Sequence, residues 1–388
     1  MKVKPATEYG QNVENTIMLR TLLPILVLVI LFACSKAPVL DPDPPPPPPP
    51  PPPPIDTPGY FPPLSGDTWE TTNISSPGWN ATALNDLFTY LESKHTKAFI
   101  VIRNGRIVTE KYFGTFTMDS IWYWASAGKT MTSLLIGIAQ KEGLLSISDR
   151  TSKYLGNGWT SLPQEKEDLI TIRNQLSMTT GLDDAGPSDP DCSSPDCLTY
   201  KADAGARWAY HNAPYTILDK VIQSASGKSY NAYFQEKIRD RIGMKGLWVP
   251  VGYNNVYYSN ARSMARFGLL LLNKGKWDQT MILSDPTYFA DQTTSSQNIN
   301  LSYGYLTWLN GKASYMLPTL QNIFNGPMVP NAPAEMFSAL GKNDQKIYVI
   351  PSQKLVIIRM GESAGNVELA QSSFDNELWG KLKAMIGY

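Results

Sequence analysis

Ser126 and Lys129 form the only Ser-x-x-Lys sequence in the chain, within Trp-Ala-Ser-Ala-Gly-Lys-Thr. The apolar pattern that follows predicts a helix from Ser126 through Gly143, and residues three apart share one face of a helix. The lysine amine can therefore lie beside the serine hydroxyl. Serine is a poor nucleophile until a neighbouring base takes its proton, and a buried lysine loses its own proton more easily. The pair is the first candidate for nucleophilic catalysis.

A second serine motif, Gly361-Glu-Ser363-Ala-Gly365, matches the Gly-x-Ser-x-Gly turn of α/β-hydrolases. Those enzymes need a histidine base that follows the serine along the chain. The chain contains two histidines, His95 and His211, and neither follows Ser363. We therefore interpret the segment as a strand-to-helix turn. The same count argues against a Ser-His-Asp triad, because His95 lies in a Lys-His-Thr-Lys stretch typical of a solvated loop.

The elements that must position these residues indicate an α+β fold. Periodicity and turn signals predict helices at 80–97, 126–143, 213–226, 230–242, 263–272 and 366–386, a hairpin at 98–112 turned by Asn104-Gly105, and strands at 345–351 and 355–360. No strand-helix-strand period repeats, which argues against a doubly wound sheet. We expect one antiparallel sheet flanked by helices, built from about 62–135 and 301–388, with a helical domain inserted at about 136–300.

Tyr210 and Asn212 lie in the segment Arg-Trp-Ala-Tyr-His-Asn-Ala-Pro-Tyr-Thr. This segment resembles the Tyr-x-Asn motif of the serine β-lactamase-like hydrolases, the group of class C β-lactamases, family VIII carboxylesterases and aminohexanoate-oligomer hydrolases. Residues 170–182 resemble the group's segment between its first two motifs, and residues 218–230 resemble the helix after the second. The resemblance covers about 80–385 and implies the β-lactamase/D,D-peptidase fold.

The resemblance also implies roles for the motif residues in an acyl-enzyme reaction. Ser126 would be acylated and Lys129 would be its proton partner. Tyr210 would act as general base and then acid, either as a phenolate or through protons shared with Lys129. Asn212 would hydrogen-bond Lys129 or the amide of the substrate's acyl group, and His211 is expected to point away. No organic cofactor is implied, and the histidines and cysteines match no zinc-site spacing.

The third motif of the group is Lys-Thr-Gly or His-x-Gly, and the stretch Ala339-Leu-Gly341-Lys342-Asn-Asp-Gln345 resembles a variant of it. The resemblance implies an oxyanion hole formed by the backbone N–H groups of Ser126 and Lys342. Ala339 provides no cation for a β-lactam or peptide carboxylate, which favours neutral esters or amides. The residues expected to contact substrate are Trp124, Trp208, Gly341 and Gln345. Core packing is the alternative for the two tryptophans.

The N-terminal region resembles a bacterial lipoprotein signal, with a short basic start, an apolar stretch and Cys34. We expect residues 1–34 to be the signal segment and Cys34 to be lipidated, with an uncleaved anchor helix as the alternative. The unbroken proline run from Pro44 to Pro54 predicts a polyproline II stalk at 35–61, before a hydrolase domain at 62–388. A docking ligand is the alternative for the proline run. The remaining cysteines, Cys192 and Cys197, are expected to form a disulfide in an oxidising compartment.

The 34 basic and 34 acidic side chains balance, so nothing indicates nucleic-acid binding. The expected partners are a small ester, amide or peptide-like substrate and, through the lipid, a membrane outside the cytoplasm. The expected function is that of a serine hydrolase cleaving an ester or amide bond. One alternative is a β-lactamase or D,D-peptidase acting on penicillin or peptidoglycan stem peptides. Another is a non-catalytic binding lipoprotein that retains the fold.

Overall fold

A computed structural model describes residues 59–75, 78–186, 189–365 and 371–387. The predicted lipoprotein signal, Cys34 and the proline stalk up to residue 58 lie outside the described residues and remain predictions. None of the described helices is long and apolar enough to cross a membrane.

The described strands and helices are numbered along the chain. The strands are β1 Thr96–Arg103, β2 Arg106–Tyr112, β3 Trp122–Tyr123, β4 Leu247–Val251, β5 Asn254–Ser259, β6 Lys276–Trp277, β7 Thr280–Met281, β8 Trp308–Leu309, β9 Ser314–Tyr315, β10 Phe324–Asn325, β11 Phe337–Gly341, β12 Gln345–Ile350 and β13 Leu355–Gly361. The α-helices are α1 Ala83–Ser93, α2 Lys129–Lys141, α3 Ser152–Leu155, α4 Gln164–Glu167, α5 Ile172–Leu176, α6 Asn212–Ser226, α7 Tyr230–Phe234, α8 Ala261–Leu272, α9 Pro286–Gln292 and α10 Ser373–Ile386. Short 3-10 turns occupy Ala125–Gly128, Pro195–Cys197, Asp240–Ile242 and Lys342–Asp344, and a π-helical turn occupies Gln235–Arg239.

The main sheet has six strands in the order β2-β1-β13-β12-β11-β8. Every neighbouring pair in it is antiparallel, and β1 near the start of the fold pairs with β13 near its end. The predicted union of the two ends of the chain in one antiparallel sheet is therefore confirmed.

The predicted hairpin is also confirmed, and its turn has a clear cause. Asn104 and Gly105 both adopt positive φ angles of 49° and 83°. Two positive φ angles define the tight turn whose twist matches that of antiparallel strands, and Asn-Gly is the pair that tolerates it best. The turn fixes the register in which β2 pairs with β1.

The central strands β12 and β13 are buried along their whole length because helices cover both faces of the sheet. Successive side chains of a strand point to opposite faces. Ile347 lies against Gly268 of α8, whereas the next residue, Tyr348, packs edge-to-face against Trp379 of α10 at 5.5 Å. The continuous apolar runs of these strands follow from this two-sided burial.

Two boundaries differ from those expected. The first helix ends at Ser93, because His95 adopts a φ of 53° and the chain turns into β1 at Thr96. The region 136–300, predicted as a helical domain, also contains the β4–β5 hairpin and α8, which packs against the main sheet. Helix α8 is therefore part of the sheet region of the fold and not of the predicted helical domain.

Candidate active site

Ser126 lies on a short 3-10 turn, Ala125–Gly128, that continues directly into α2. Ala125 adopts a positive φ of 46°, a conformation that costs an L-residue about 1–3 kcal/mol and persists only where its surroundings hold it. Contacts of the preceding residue, Trp124, keep Ala125 in this conformation. Trp124 is fully buried, its backbone N–H donates to the Tyr257 carbonyl at 2.9 Å, and its indole N–H donates to Ser259 Oγ at 2.8 Å.

Lys129 is the first residue of α2 and is only 4% exposed. Its Nζ donates to Ser126 Oγ at 3.1 Å, which is the proximity that the sequence spacing predicts. Nζ also lies 4.0 Å from the ring centre of Tyr215 and 5.3 Å from that of Tyr210. Burial lowers the pKa of Lys129 to about 7, while Asp191 and Asp219 act in the opposite direction. A large fraction of this amine is therefore neutral at neutral pH and able to accept a proton.

Tyr210 is held in an aromatic cluster. Its ring stacks on Trp308 at 5.7 Å and meets Tyr303 edge-to-face at 6.2 Å. Its hydroxyl is buried and has no hydrogen-bond partner of good geometry among the described residues. Burial raises the pKa of Tyr210 above its ordinary value, although the Ser126 hydroxyl beside it has the opposite effect. The phenolate, one of the two alternatives expected from the sequence, is thus disfavoured, and the neutral phenol is the favoured state.

Asn212 begins α6, but it does not make the predicted hydrogen bond to Lys129. Its Nδ2 donates instead to Asp191 at 2.7 Å, and its Oδ1 has no partner among the described residues. The reason is that a carboxylate only accepts hydrogen bonds, so it draws the NH2 end of the amide towards itself. The alternative role for Asn212, contact with the substrate, remains a prediction.

A cavity of about 460 Å³ lies beside Ser126 and is also lined by Tyr210, His211, Asn212 and Lys342. The expectation that His211 points away is wrong, since it contributes to the cavity wall. Burial lowers the pKa of His211 to about 4, so its imidazole is neutral at neutral pH.

The third-motif segment reaches the same cavity. A Cβ atom on Gly341 would lie 2.3 Å from the Trp124 carbonyl oxygen and 3.0 Å from the Ala127 nitrogen. Only glycine therefore allows the end of β11 to approach the turn that carries Ser126 so closely. The next residue, Lys342, lines the cavity, and its backbone is the predicted second oxyanion donor.

Four residues were expected to contact substrate, and the structure corrects three of them. Trp124 and Trp208 are fully buried in the hydrophobic core, the alternative considered for both. Gln345 is also fully buried, and its side-chain NH2 donates to the carbonyls of Asn343 at 2.9 Å and Gly361 at 2.6 Å. Gln345 thus holds the Lys342–Asp344 turn and does not face the cavity. Gly341 has no side chain to contact a substrate, and its role is to let β11 approach the turn that carries Ser126.

The disulfide between Cys192 and Cys197 is present, as predicted, with their Cα atoms 5.8 Å apart. It closes the loop next to Asp191. The competing serine, Ser363, donates from Oγ to the Gly365 carbonyl at 2.7 Å and is not among the residues that line the cavity beside Ser126. This placement agrees with its interpretation as part of a turn.

Sequence motifs did not reveal two carboxylates that act on this site. Asp191 accepts hydrogen bonds from Asn212 and, at 2.6 Å, from Asn254. Asp219 accepts one from Asn255 at 2.7 Å, and burial raises its pKa to about 7. The one sequence signal for Asp219 is that it interrupts the apolar pattern of the predicted helix 213–226. Asp191 lies in a loop that carries no such signal. No group of three or more His, Cys, Asp or Glu side chains in the described ranges could hold a metal ion.

Comparison with known proteins identifies first the fold and then the family of this chain. The solved structure of a Bacillus anthracis protein, provisionally named a 6-aminohexanoate-dimer hydrolase, matches with a TM-score of 0.62 and 20% identity over 81% of this chain and 86% of its own. A solved structure from Bacteroides dorei, provisionally named a beta-lactamase, matches with a TM-score of 0.63 and 18% identity over 80% of this chain and 100% of its own. The two likenesses confirm the predicted β-lactamase/D,D-peptidase-like α+β fold. The family model described as Beta-lactamase matches residues 91–377. The chain therefore belongs to the beta-lactamase family of serine hydrolases.

Two curated relatives are also similar to this chain. An uncharacterized protein of Alkalihalophilus pseudofirmus is 23% identical over 307 residues, which are 69% of this chain and 84% of the relative. A Bacillus subtilis protein, PbpX, provisionally named a penicillin-binding protein, is 29% identical over 162 residues. That match covers 37% of this chain and only 39% of PbpX.

Proposed function

We propose that this protein hydrolyses a carboxylic ester or amide through a covalent acyl-enzyme on Ser126. One observation carries the proposal: Lys129 Nζ lies 3.1 Å from Ser126 Oγ, and burial lowers the pKa of that amine to about 7. A general base is most effective when its pKa lies near the working pH. Lys129 meets that condition, and in the described part of the chain neither histidine hydrogen-bonds Ser126.

In the proposed reaction, neutral Lys129 takes the Ser126 proton while Oγ attacks the carbonyl carbon. The negative charge that develops on the carbonyl oxygen is stabilised by the backbone N–H groups of Ser126 and Lys342. The proton passes from Lys129 to the leaving alkoxide or amine through the Tyr210 hydroxyl, and the carbon–heteroatom bond breaks. A water molecule then attacks the acyl-enzyme ester, gives its proton to the same base and releases the acid and Ser126. The neutral state favoured for Tyr210 suits a group that relays a proton without carrying charge.

The decisive test compares two serine variants in the full chain. Ser126→Ala should abolish hydrolysis of a short-chain nitrophenyl ester, whereas Ser363→Ala, which alters the serine of the competing motif, should retain it. Mass spectrometry after treatment with a fluorophosphonate should show an adduct on Ser126 in the wild-type protein. Full esterase activity in Ser126→Ala, or an adduct confined to Ser363, would end the proposal.

A second candidate, D,D-peptidase or β-lactamase activity, is supported by one feature of the cavity. Lys342 is a basic residue among those that line the cavity, whereas Ala339 has no charge that could bind a substrate carboxylate. The relative PbpX carries the name of a penicillin-binding protein. Turnover of nitrocefin at rates comparable to those of the nitrophenyl ester would favour this candidate over a plain esterase or amidase.

A further inference from the structure

Asp191 presents a carboxylate in the wall of the cavity beside Ser126, and its charge acts on the buried amine of Lys129. Its two carboxylate oxygens accept hydrogen bonds from two neutral amides, Asn212 at 2.7 Å and Asn254 at 2.6 Å. These bonds fix the carboxylate in place but supply no positive charge. Asp191 forms no ion pair within the described ranges. By contrast, Asp184, which lines the same cavity, is paired with Arg207 at 2.6 Å.

The orientation of Asn212 adds a second acceptor. Because its NH2 group is committed to Asp191, its Oδ1 is the free end of the amide, and this buried atom has no partner in the described part of the chain. Leaving a buried acceptor without a donor costs about 1–3 kcal/mol, so a hydrogen bond to this oxygen is favourable. An N–H group on a ligand would satisfy it.

His211 provides an independent observation that points to a ligand. It is 4% exposed, it lines the cavity, and its Nδ1 has no hydrogen-bond partner among the residues described. A neutral imidazole has one nitrogen that accepts and one that donates. It adds no positive charge to compete with a cationic ligand. Lys342, the first residue of the Lys342–Asp344 turn, also lines the cavity.

We propose that this cavity selects substrates that carry a protonated amine next to the scissile carbonyl, such as aminoacyl esters or amides, with Asp191 as the counter-charge. The proposal deepens the proposed function and rests on it. The ammonium group would lie against the Asp191 carboxylate and donate hydrogen bonds to it, while Asn212 Oδ1 or His211 accepts another. A charged hydrogen bond of this kind in a partly buried site discriminates strongly against an uncharged isostere.

The experiment uses two isosteric pairs that differ only by an ammonium group replaced with methyl. The first pair is alanine methyl ester, in both enantiomers, and methyl isobutyrate, with acid release followed in a pH-stat. The second pair is the boronic acid analogue of alanine and isopropylboronic acid, which add reversibly to a catalytic serine and whose binding is measured by calorimetry without any turnover. Measurements at about pH 7 keep most of the α-amino group protonated.

The readout is the ratio between the two members of each pair: the rate of hydrolysis for the esters and the binding affinity for the boronic acids. Each ratio is measured in three proteins. In the wild-type protein the amine-bearing member should be favoured by about tenfold or more. Asp191→Asn should bring this ratio close to one. Asp196→Asn, which removes the same charge from an exposed position on the loop closed by the disulfide, should leave the ratio unchanged.

The outcomes separate this proposal from the proposed function. If the nitrophenyl ester is cleaved and isopropylboronic acid binds, but the wild-type ratio is near one, ammonium selection is refuted and the esterase proposal stands. A strong preference that survives Asp191→Asn would show that another group binds the amine. If neither ester hydrolysis nor boronic acid binding depends on Ser126, the proposed function fails and this inference fails with it.

Discussion

Replacing Lys129 with methionine should destroy activity and at the same time stabilise the fold, by an amount that depends on pH. Methionine has a similar length but no amine, so the proton partner of Ser126 is lost. We expect kcat to fall by about 10²–10⁴-fold, the usual contribution of a positioned acid–base group. The stability effect follows from the burial that lowers the pKa of Lys129 to about 7, against 10.5 for an ordinary lysine.

The sign follows from proton binding. Between pH 7 and 10.5 the unfolded chain holds the lysine proton and the folded chain does not, so folding becomes more favourable as pH rises through this window. Below about pH 7 the folded protein must bury the charged amine. The difference between the folded and unfolded pKa values corresponds to a loss of about 5 kcal/mol in the free energy of unfolding. At about pH 8.5 the remaining penalty is about 3 kcal/mol. Lys129→Met should therefore gain about 2 kcal/mol more stability at about pH 6 than at about pH 8.5.

The assay is denaturant unfolding of the wild-type and variant proteins at those two pH values, with nitrophenyl ester hydrolysis measured in parallel. Changes in packing caused by methionine contribute equally at both pH values, so the difference isolates the titration of the amine. Lys141→Met, an exposed substitution at the other end of α2, is the matched control and should show no such pH dependence. An equal stability change for Lys129→Met at both pH values would refute the claim that burial makes this lysine a base.

Two further predictions concern the surroundings of the Ser126–Lys129 pair. Ionised Asp219 raises the pKa of Lys129, so Asp219→Asn should move the acidic limb of the kcat/KM profile to lower pH by about one pH unit; an unchanged or alkaline-shifted limb would contradict this. Gly341→Ala should reduce kcat by about 10- to 100-fold because its Cβ would lie 2.3 Å from the Trp124 carbonyl and push β11 away from the nucleophile turn. Gly365→Ala, where a Cβ meets no atom within 4 Å, is the control, and equal losses in the two variants would remove the steric explanation.

Local signals were sufficient wherever a short stretch of chain determines its own conformation. Asn104-Gly105 specified the hairpin because few other pairs accept two positive φ angles. The pairing of β1 with β13 followed from apolar strands at both ends of an otherwise helical region. The proximity of Ser126 and Lys129 followed from helical spacing, although the first turn is 3-10 and starts from the unfavourable φ of Ala125.

The environment of the site could not be predicted, because it is built by residues distant in sequence. Asp191 meets Asn254 across 63 positions, and no spacing rule links a loop aspartate to a strand asparagine. Trp124 and Trp208 flank the motifs in sequence, yet both point into the core, since proximity along the chain says nothing about the direction of a side chain. The helix predicted at 213–226 begins one residue earlier, at Asn212, and the amide orientation of Asn212 depends on Asp191 and so escaped prediction.

Burial connects the chemistry of this site to the packing of the fold. Helix α2 is buried from Lys129 through Ala139, and this position, together with the rings of Tyr210 and Tyr215, removes water from the amine. A serine with a lysine base depends on such exclusion, because a hydrated lysine would remain protonated at neutral pH. Substitutions that loosen the aromatic cluster behind Tyr210 should therefore raise the pKa of Lys129 and weaken catalysis without touching a reacting atom. The same reasoning explains why a destabilising buried amine is compatible with the fold: the pKa that makes it a base also leaves a large fraction of it uncharged at neutral pH.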